Sequence, residues 1–201
     1  MADILDIPPG DFEGFIFDND GTLVVSMWLH FEAWQESYKK NGATFTLTRP
    51  LAQSMAGKGM HDTVREINKL FDQNLDPIQV VADQEAYYLE NLHRIWTYDP
   101  VVDFARDKAR THPVAVASGG VRDTVHKTLK AAHLDSLFPV VITQDDVENG
   151  KPDPEMFLLA AEKMGVAPKK CLVFEDGKLG IEGARAAGME VVYVEPEGPV
   201  E

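Results

Sequence analysis

Apolar residues fall into two rhythms along the chain. Short apolar runs ending in acidic or turn-forming residues occur at Phe12–Asp18, Pro113–Ser118, Val140–Thr143, Cys171–Asp176 and Val191–Val194. Their length and their Val, Phe and Ala content predict buried strands. Between these runs, Val121, Val125, Leu129 and Ala132 recur at helical spacing, as do Phe157, Leu158, Ala161 and Met164. The second of these predicted helices has readable ends, with Asp153 as N-cap, Pro154 at the first helical position and Gly165 as the stop. Strands alternating with helices predict an α/β fold with a parallel sheet and helices on both faces. Residues 26–96 break this rhythm. The stretches "WLHFEAWQESYKK", "MHDTVREINKLF" and "IQVVADQEAYYLENLHRIW" read as helices, punctuated by Gly42, Pro50, Gly57, Gly59 and Pro77. The pattern predicts a helical subdomain inserted after the first strand, with residues 1–25 and 97–201 forming the core.

Composition narrows the partners. The 201 residues carry a formal net charge of -14, which argues against a broad basic nucleic-acid face and against adhesion to anionic membranes. A small anionic substrate stays compatible with this charge, because a bound divalent cation reverses the local sign. Cys171 is the sole cysteine, so an internal disulfide is excluded and a reducing cytosol is the expected setting. No apolar run approaches membrane-spanning length, and the acidic opening "MADILDIPPGDFEG" lacks the basic and apolar regions of a signal peptide. A cytoplasmic protein is expected, and a monomeric one, since no extended apolar surface can be recognised.

The polar residues at the strand ends change the picture. "FIFDNDGTLVVS" places Asp18 and Asp20 directly after a buried strand, with no basic residue beside them. Buried carboxylates are costly unless paired. In an open parallel sheet, ligands bind beyond the carboxyl ends of the strands. Asp18 and Asp20 leave one strand there, Ser118 a second, and Glu175 and Asp176 a third, while Lys151 lies in the connection after a fourth. Each residue has an ordinary reading when taken singly: a solvated turn, a helix start, a surface lysine, acids favouring a helix N-terminus. Together they bring carboxylates, a hydroxyl and an ammonium to one rim. Carboxylates so crowded repel unless a cation neutralises them, and hard oxygen ligands suit Mg²⁺.

These residues carry a family resemblance. "DNDGTL", "VASGG", "GKPDPEMF" and "VFEDGKLGIEGARAAGM" resemble, in order, the four motifs of haloacid dehalogenase-type phosphotransferases. With the strand pattern they cover nearly the whole chain. The likeness is strongest to the sugar-phosphatase and β-phosphoglucomutase branch, and "FLLAAEKMGVAPKKCLVFED" is especially similar to phosphatases of fructose-1-phosphate-like substrates.

The resemblance implies a Rossmann-like core, a small α-helical cap in the insert, and a set of roles. Asp18 is the implied nucleophile and Asp20 the acid and base. Mg²⁺ is held by Asp18, Asp20 through its backbone carbonyl, Asp176 and Glu175. Ser118, Gly119 and the turn at Gly21 and Thr22 hold phosphate oxygens, and Lys151 offsets charge on the transferring group. In the cap, His30 matches a histidine that faces the active site in the mutase-like branch, and "AGKGMHD" resembles the specificity loop, which adds Gly57 and Lys58 as substrate contacts. The cations with which the mutases grip a second phosphate are replaced by Ala56 and Met60. The expected activity is therefore Mg²⁺-dependent hydrolysis of a small sugar phosphate. The alternatives are a phosphosugar mutase and a non-catalytic phosphoacceptor, the latter disfavoured by the presence of Asp20.

Overall fold

The computed structural model describes residues 5–55 and 59–195. In chain order the described elements are β1 (Gly14–Phe17), β2 (Val24–Val25), α1 (Met27–Lys40), α2 (Arg49–Ser54), α3 (Met60–Leu70), α4 (Pro77–Glu90), β3 (Trp96–Thr97), α5 (Asp99–Lys108), β4 (Val114–Ala117), α6 (Arg122–Ala131), β5 (Val140–Ile142), α7 (Glu155–Met164), β6 (Cys171–Glu175), α8 (Lys178–Ala186) and β7 (Glu190–Tyr193), with short 3₁₀ turns between some of them. Two compact units result, one from the chain up to Ser26 and from Ile95 onward, the other from Met27–Arg94.

The first unit is an α/β fold around a five-stranded sheet in the order β5-β4-β1-β6-β7. Every pairing in it is parallel. β1 is central, so both of its faces are covered, and "GFIF" is buried throughout. Strand alternation sorts its side chains. Phe15 and Phe17 pack on one face with Phe104 of α5, Phe138 and Phe174 of β6, at ring separations of 4.8 to 5.7 Å. Ile16 turns to the other face, into a cluster with Ala115, Ala117, Val173, Met156 and Phe157 of α7, and Ala184 of α8. Each fully buried Phe, Ile or Met contributes roughly 1.5–3 kcal/mol. The helices thus cover both faces and leave the carboxyl ends of the parallel strands to the polar residues.

Two details differ from the sequence expectation. Helix α7 begins at Glu155, one residue late, with Pro154 at the N-cap. The Asp153 carboxylate still accepts the Glu155 N–H at 3.0 Å. The segment read as helical and strand-poor is bracketed by an antiparallel pair, Val24–Val25 with Trp96–Thr97, too short to show any alternation.

The second unit is helical. α1, α3 and α4 surround a cluster of Tyr38, Leu47, Met55, Val64, Ile67, Leu75, Val80 and Val81, with Trp34, Phe45 and Met60 packed against it. Thr48 and Asp76 cap α2 and α4, each followed by proline in the first turn.

Candidate active site

β1 ends at Phe17, and the Asp18 N–H continues the ladder to the Phe174 carbonyl at 3.0 Å. The chain then turns sharply. The Asn19 carbonyl accepts from the Leu23 and Val24 N–H groups at 3.0 Å each, and Gly21 donates to the Val24 carbonyl at 2.8 Å. Gly21 has φ of 92°, and a Cβ there would run into the Asp176 carboxylate. Both the backbone conformation and the space therefore demand glycine. The turn carries Thr22 under β6, where its Oγ1 donates to Asp176 Oδ1 at 3.0 Å. The Thr22 side chain thus orients Asp176, while the backbone of the turn is the part expected to meet the phosphate.

Lys151 comes from the connection before α7. That connection is pinned from behind: Glu155 accepts the Glu148 N–H at 3.0 Å and the Asn149 N–H at 2.9 Å. Lys151 Nζ donates to Asp18 Oδ1 at 2.6 Å and to Glu175 Oε2 at 2.7 Å, and lies over the Phe157 ring at 5.5 Å. Glu175 is nearly fully buried, and its other oxygen accepts the Gly177 N–H at 3.0 Å. Its side chain lies so close to Gly180 that a Cβ there would overlap the carboxylate.

Asp18, Glu175 and Asp176 each place a carboxylate oxygen within 4.8 Å of the others. Three carboxylates against one ammonium leave excess negative charge in a buried place. Burial and then Glu175 raise the Asp18 carboxyl well above its ordinary value, with Lys151 opposing. Asp176 is pushed up to about 6 by burial and by Glu175, against the Thr22 hydrogen bond. Burial disfavours the Lys151 ammonium, but Asp18 and Glu175 outweigh it and hold the amine protonated. Hard oxygen donors with surplus negative charge fit a divalent cation.

Asp20 is tied on both oxygens, Oδ1 accepting from Ser26 Oγ at 2.5 Å and Oδ2 from Asn19 Nδ2 at 2.9 Å. Asn19 and Ser26 are fully buried. Ser118 follows β4, the neighbour of β1; it is buried, and its Oγ accepts the Gly120 N–H at 3.2 Å. Gly119 is exposed, with open space where a Cβ would stand.

The structure thus brings together Asp18, Gly21, Thr22, Lys151, Glu175 and Asp176, and places Asp20, Ser118 and Gly119 on the same rim of strand ends. His30 belongs to the second unit, where its ring stacks on Tyr88 at 3.9 Å and its Nδ1 lies 3.4 Å from Gln84 Nε2. Gly57 and Lys58, like Ala56, lie outside the described residues. Sequence reasoning passed over Asn19, Ser26, Glu155 and Gly180. Asn19 stood in plain view between the two aspartates, and Gly180 was hidden in a glycine-rich helix start that has Gly177 and Gly183 at the same spacing.

The chain is 32% identical to the fructose-1-phosphate phosphatase YqaB of Escherichia coli (strain K12), over 91% of this chain and 96% of that one. It is 30% identical to the phosphorylated carbohydrates phosphatase of Thermotoga maritima, over 90% and 84% of the two chains. In structure it is similar to CbbY from Rhodobacter sphaeroides in complex with phosphate, with a TM-score of 0.80 over 90% of this chain and 84% of that one. At 21% identity that likeness concerns the fold alone. Residues 12–188 match the family model of the haloacid dehalogenase-like hydrolases. The chain belongs to the haloacid dehalogenase-like hydrolase family and is an enzyme of the hydrolase class.

Proposed function

We propose that the chain is a Mg²⁺-dependent phosphatase that hydrolyses a small sugar phosphate through an aspartyl-phosphate on Asp18. The observation that carries this reading is the Lys151 ammonium lodged between Asp18 and Glu175, at 2.6 and 2.7 Å, within a cluster of carboxylates. Lys151 opposes the burial that favours protonation of Asp18 and orients its oxygen at the strand end, both of which an attacking carboxylate requires. The Asp18 oxygen forms a bond to phosphorus as the bond to the sugar oxygen breaks. Asp20 gives its proton to that leaving oxygen, then takes one from the water that releases phosphate from Asp18. Ser118 Oγ and the backbone N–H groups near Gly119, Gly21 and Thr22 bind phosphate oxygens, and Lys151 offsets their charge. Asp18, Asp176, Glu175 and the Asp20 carbonyl would hold Mg²⁺, which when bound supplies positive charge against the repulsion between Asp18 and the phosphate.

Support for a sugar phosphate comes from the two curated relatives, which are phosphatases of fructose 1-phosphate and of phosphorylated carbohydrates. The second unit is proposed as the cap, with His30 as a substrate-binding residue. Met60, where the mutases carry a phosphate-gripping cation, packs against the apolar cluster of that unit and favours hydrolysis over phosphoryl return. The test is a phosphate-release screen over small phosphosugars, with Mg²⁺ and with excess chelator. Release from at least one sugar monophosphate, lost in chelator and needing no bisphosphate primer, is the expected result. Isomerised sugar phosphate with little free phosphate would promote the mutase reading, and undiminished release in chelator would remove the metal.

A further inference from the structure

The reading of Asp20 as acid and base leaves open what aims its carboxyl. Asn19 is fully buried, and only half of its amide is used. Nδ2 donates to Asp20 Oδ2 at 2.9 Å, while the buried Oδ1 has no hydrogen-bond partner among the described residues. With Asp20 ionised, turning the amide over would set its oxygen against the carboxylate, so that state fixes the assignment. A buried amide with an unsatisfied acceptor is less stable than an apolar side chain of similar size in the same space. The side chain therefore costs the fold stability, and the hydrogen bond it makes goes to Asp20. Ser26 holds the other oxygen at 2.5 Å, so the carboxyl is gripped from two sides by uncharged donors.

We infer that Asn19 is a positioning residue: its amide fixes the orientation of Asp20 for proton delivery to the leaving oxygen. The inference rests on the proposed role of Asp20 and is separable from it. An alkyl leaving group departs with the electron pair of the broken P–O bond and needs the proton of Asp20. A p-nitrophenolate leaves stably as an anion and does not. Loss of aim should therefore fall on the first kind of substrate.

Single-turnover release of fructose from fructose 1-phosphate and of p-nitrophenol from p-nitrophenyl phosphate is measured for the wild type, Asn19→Leu, Asn19→Met and Asp20→Asn, with thermal unfolding of each. Both Asn19 variants should lose roughly 10- to 100-fold more on fructose 1-phosphate than on p-nitrophenyl phosphate, the scale of a misplaced catalytic group. They should unfold at the same or a higher temperature than the wild type. An equal loss on both substrates, no loss, or failure of both variants to fold would overturn the inference. If Asp20→Asn shows the selective loss and the Asn19 variants do not, the inference fails while the role of Asp20 stands. If Asp20→Asn shows no selectivity, the role of Asp20 fails and the inference with it.

Discussion

The two units solve opposite problems. The first buries Asp18 and Glu175 at the end of its sheet and surrounds Lys151 with them, an arrangement that removes charge from water. The second buries Tyr38, Val64, Ile67 and Val80 in an apolar cluster, and among its described residues the buried polar ones, Ser37 and Gln84, are uncharged. Ser37 is satisfied by donating to the Val80 carbonyl at 2.5 Å. Burying an ion pair is at best neutral for stability, whereas burying aliphatic side chains is the main stabilising term. Buried charge is thus concentrated at the proposed site. A substitution at the sheet end should cost activity more than fold, and one in the helical cluster fold more than activity.

The largest effect expected is at Asp18. Asp18→Asn should lower turnover by about 10⁴-fold or more, because the amide is a poor nucleophile, while the far-ultraviolet dichroism stays that of the wild type. A folded variant with ordinary turnover would break the comparison at its polar end. In the second unit the order should reverse. Ile67 is fully buried, and Ile67→Ala should cost about 2–5 kcal/mol in urea unfolding with kcat of the folded protein unchanged.

Titration sharpens the contrast further. The Asp176 carboxyl is pushed up to about 6 from an ordinary value of 3.8. A proton there favours the folded state, so the stability it contributes is full below about pH 4 and is lost as the pH rises through about 6. With chelator present, thermal unfolding should therefore come earlier at pH 7 than at pH 5. Added Mg²⁺ should raise the midpoint more at pH 7, where it competes with fewer protons. An equal Mg²⁺ effect at both values would contradict the account of the carboxylate cluster. The smallest effect is expected at Tyr38, whose buried hydroxyl has no hydrogen-bond partner among the described residues. Tyr38→Phe should stabilise the protein by roughly 1 kcal/mol, read as an upward shift of the urea midpoint.

Much of this was legible in the sequence, for identifiable reasons. The five parallel strands stand out because each is a short apolar run cut off by an acid, a glycine or a turn; β1, β4 and β6 are buried throughout, and the partly exposed edge strands β5 and β7 are marked by their valines. The acids and Ser118 were visible because they sit where those runs stop, and Lys151 because it lies in the "GKPDPEMF" connection after one of them. β2 and β3 were not, since two residues cannot show a period. α5 was overlooked as well: Val101, Val102 and Ala105 follow Asp-Pro and are diluted by charged neighbours. Within the site, the sequence carries residue types and not their contacts. That Thr22 would bind Asp176, that Gly180 would make room for Glu175 and that Asn19 would hold Asp20 depends on how β1, β6 and α8 are packed. No spacing rule encodes that packing.

The account turns on Asp18 as the phosphorylated residue, and an acyl phosphate can be trapped. The enzyme is mixed with Mg²⁺ and fructose 1-phosphate, quenched within a turnover and reduced with borohydride, which converts an aspartyl-phosphate to homoserine. Peptide mass spectrometry then locates the change. Homoserine at position 18, absent without substrate, is the predicted result. Homoserine at another aspartate, or none at all while phosphate is being released, would contradict the central claim.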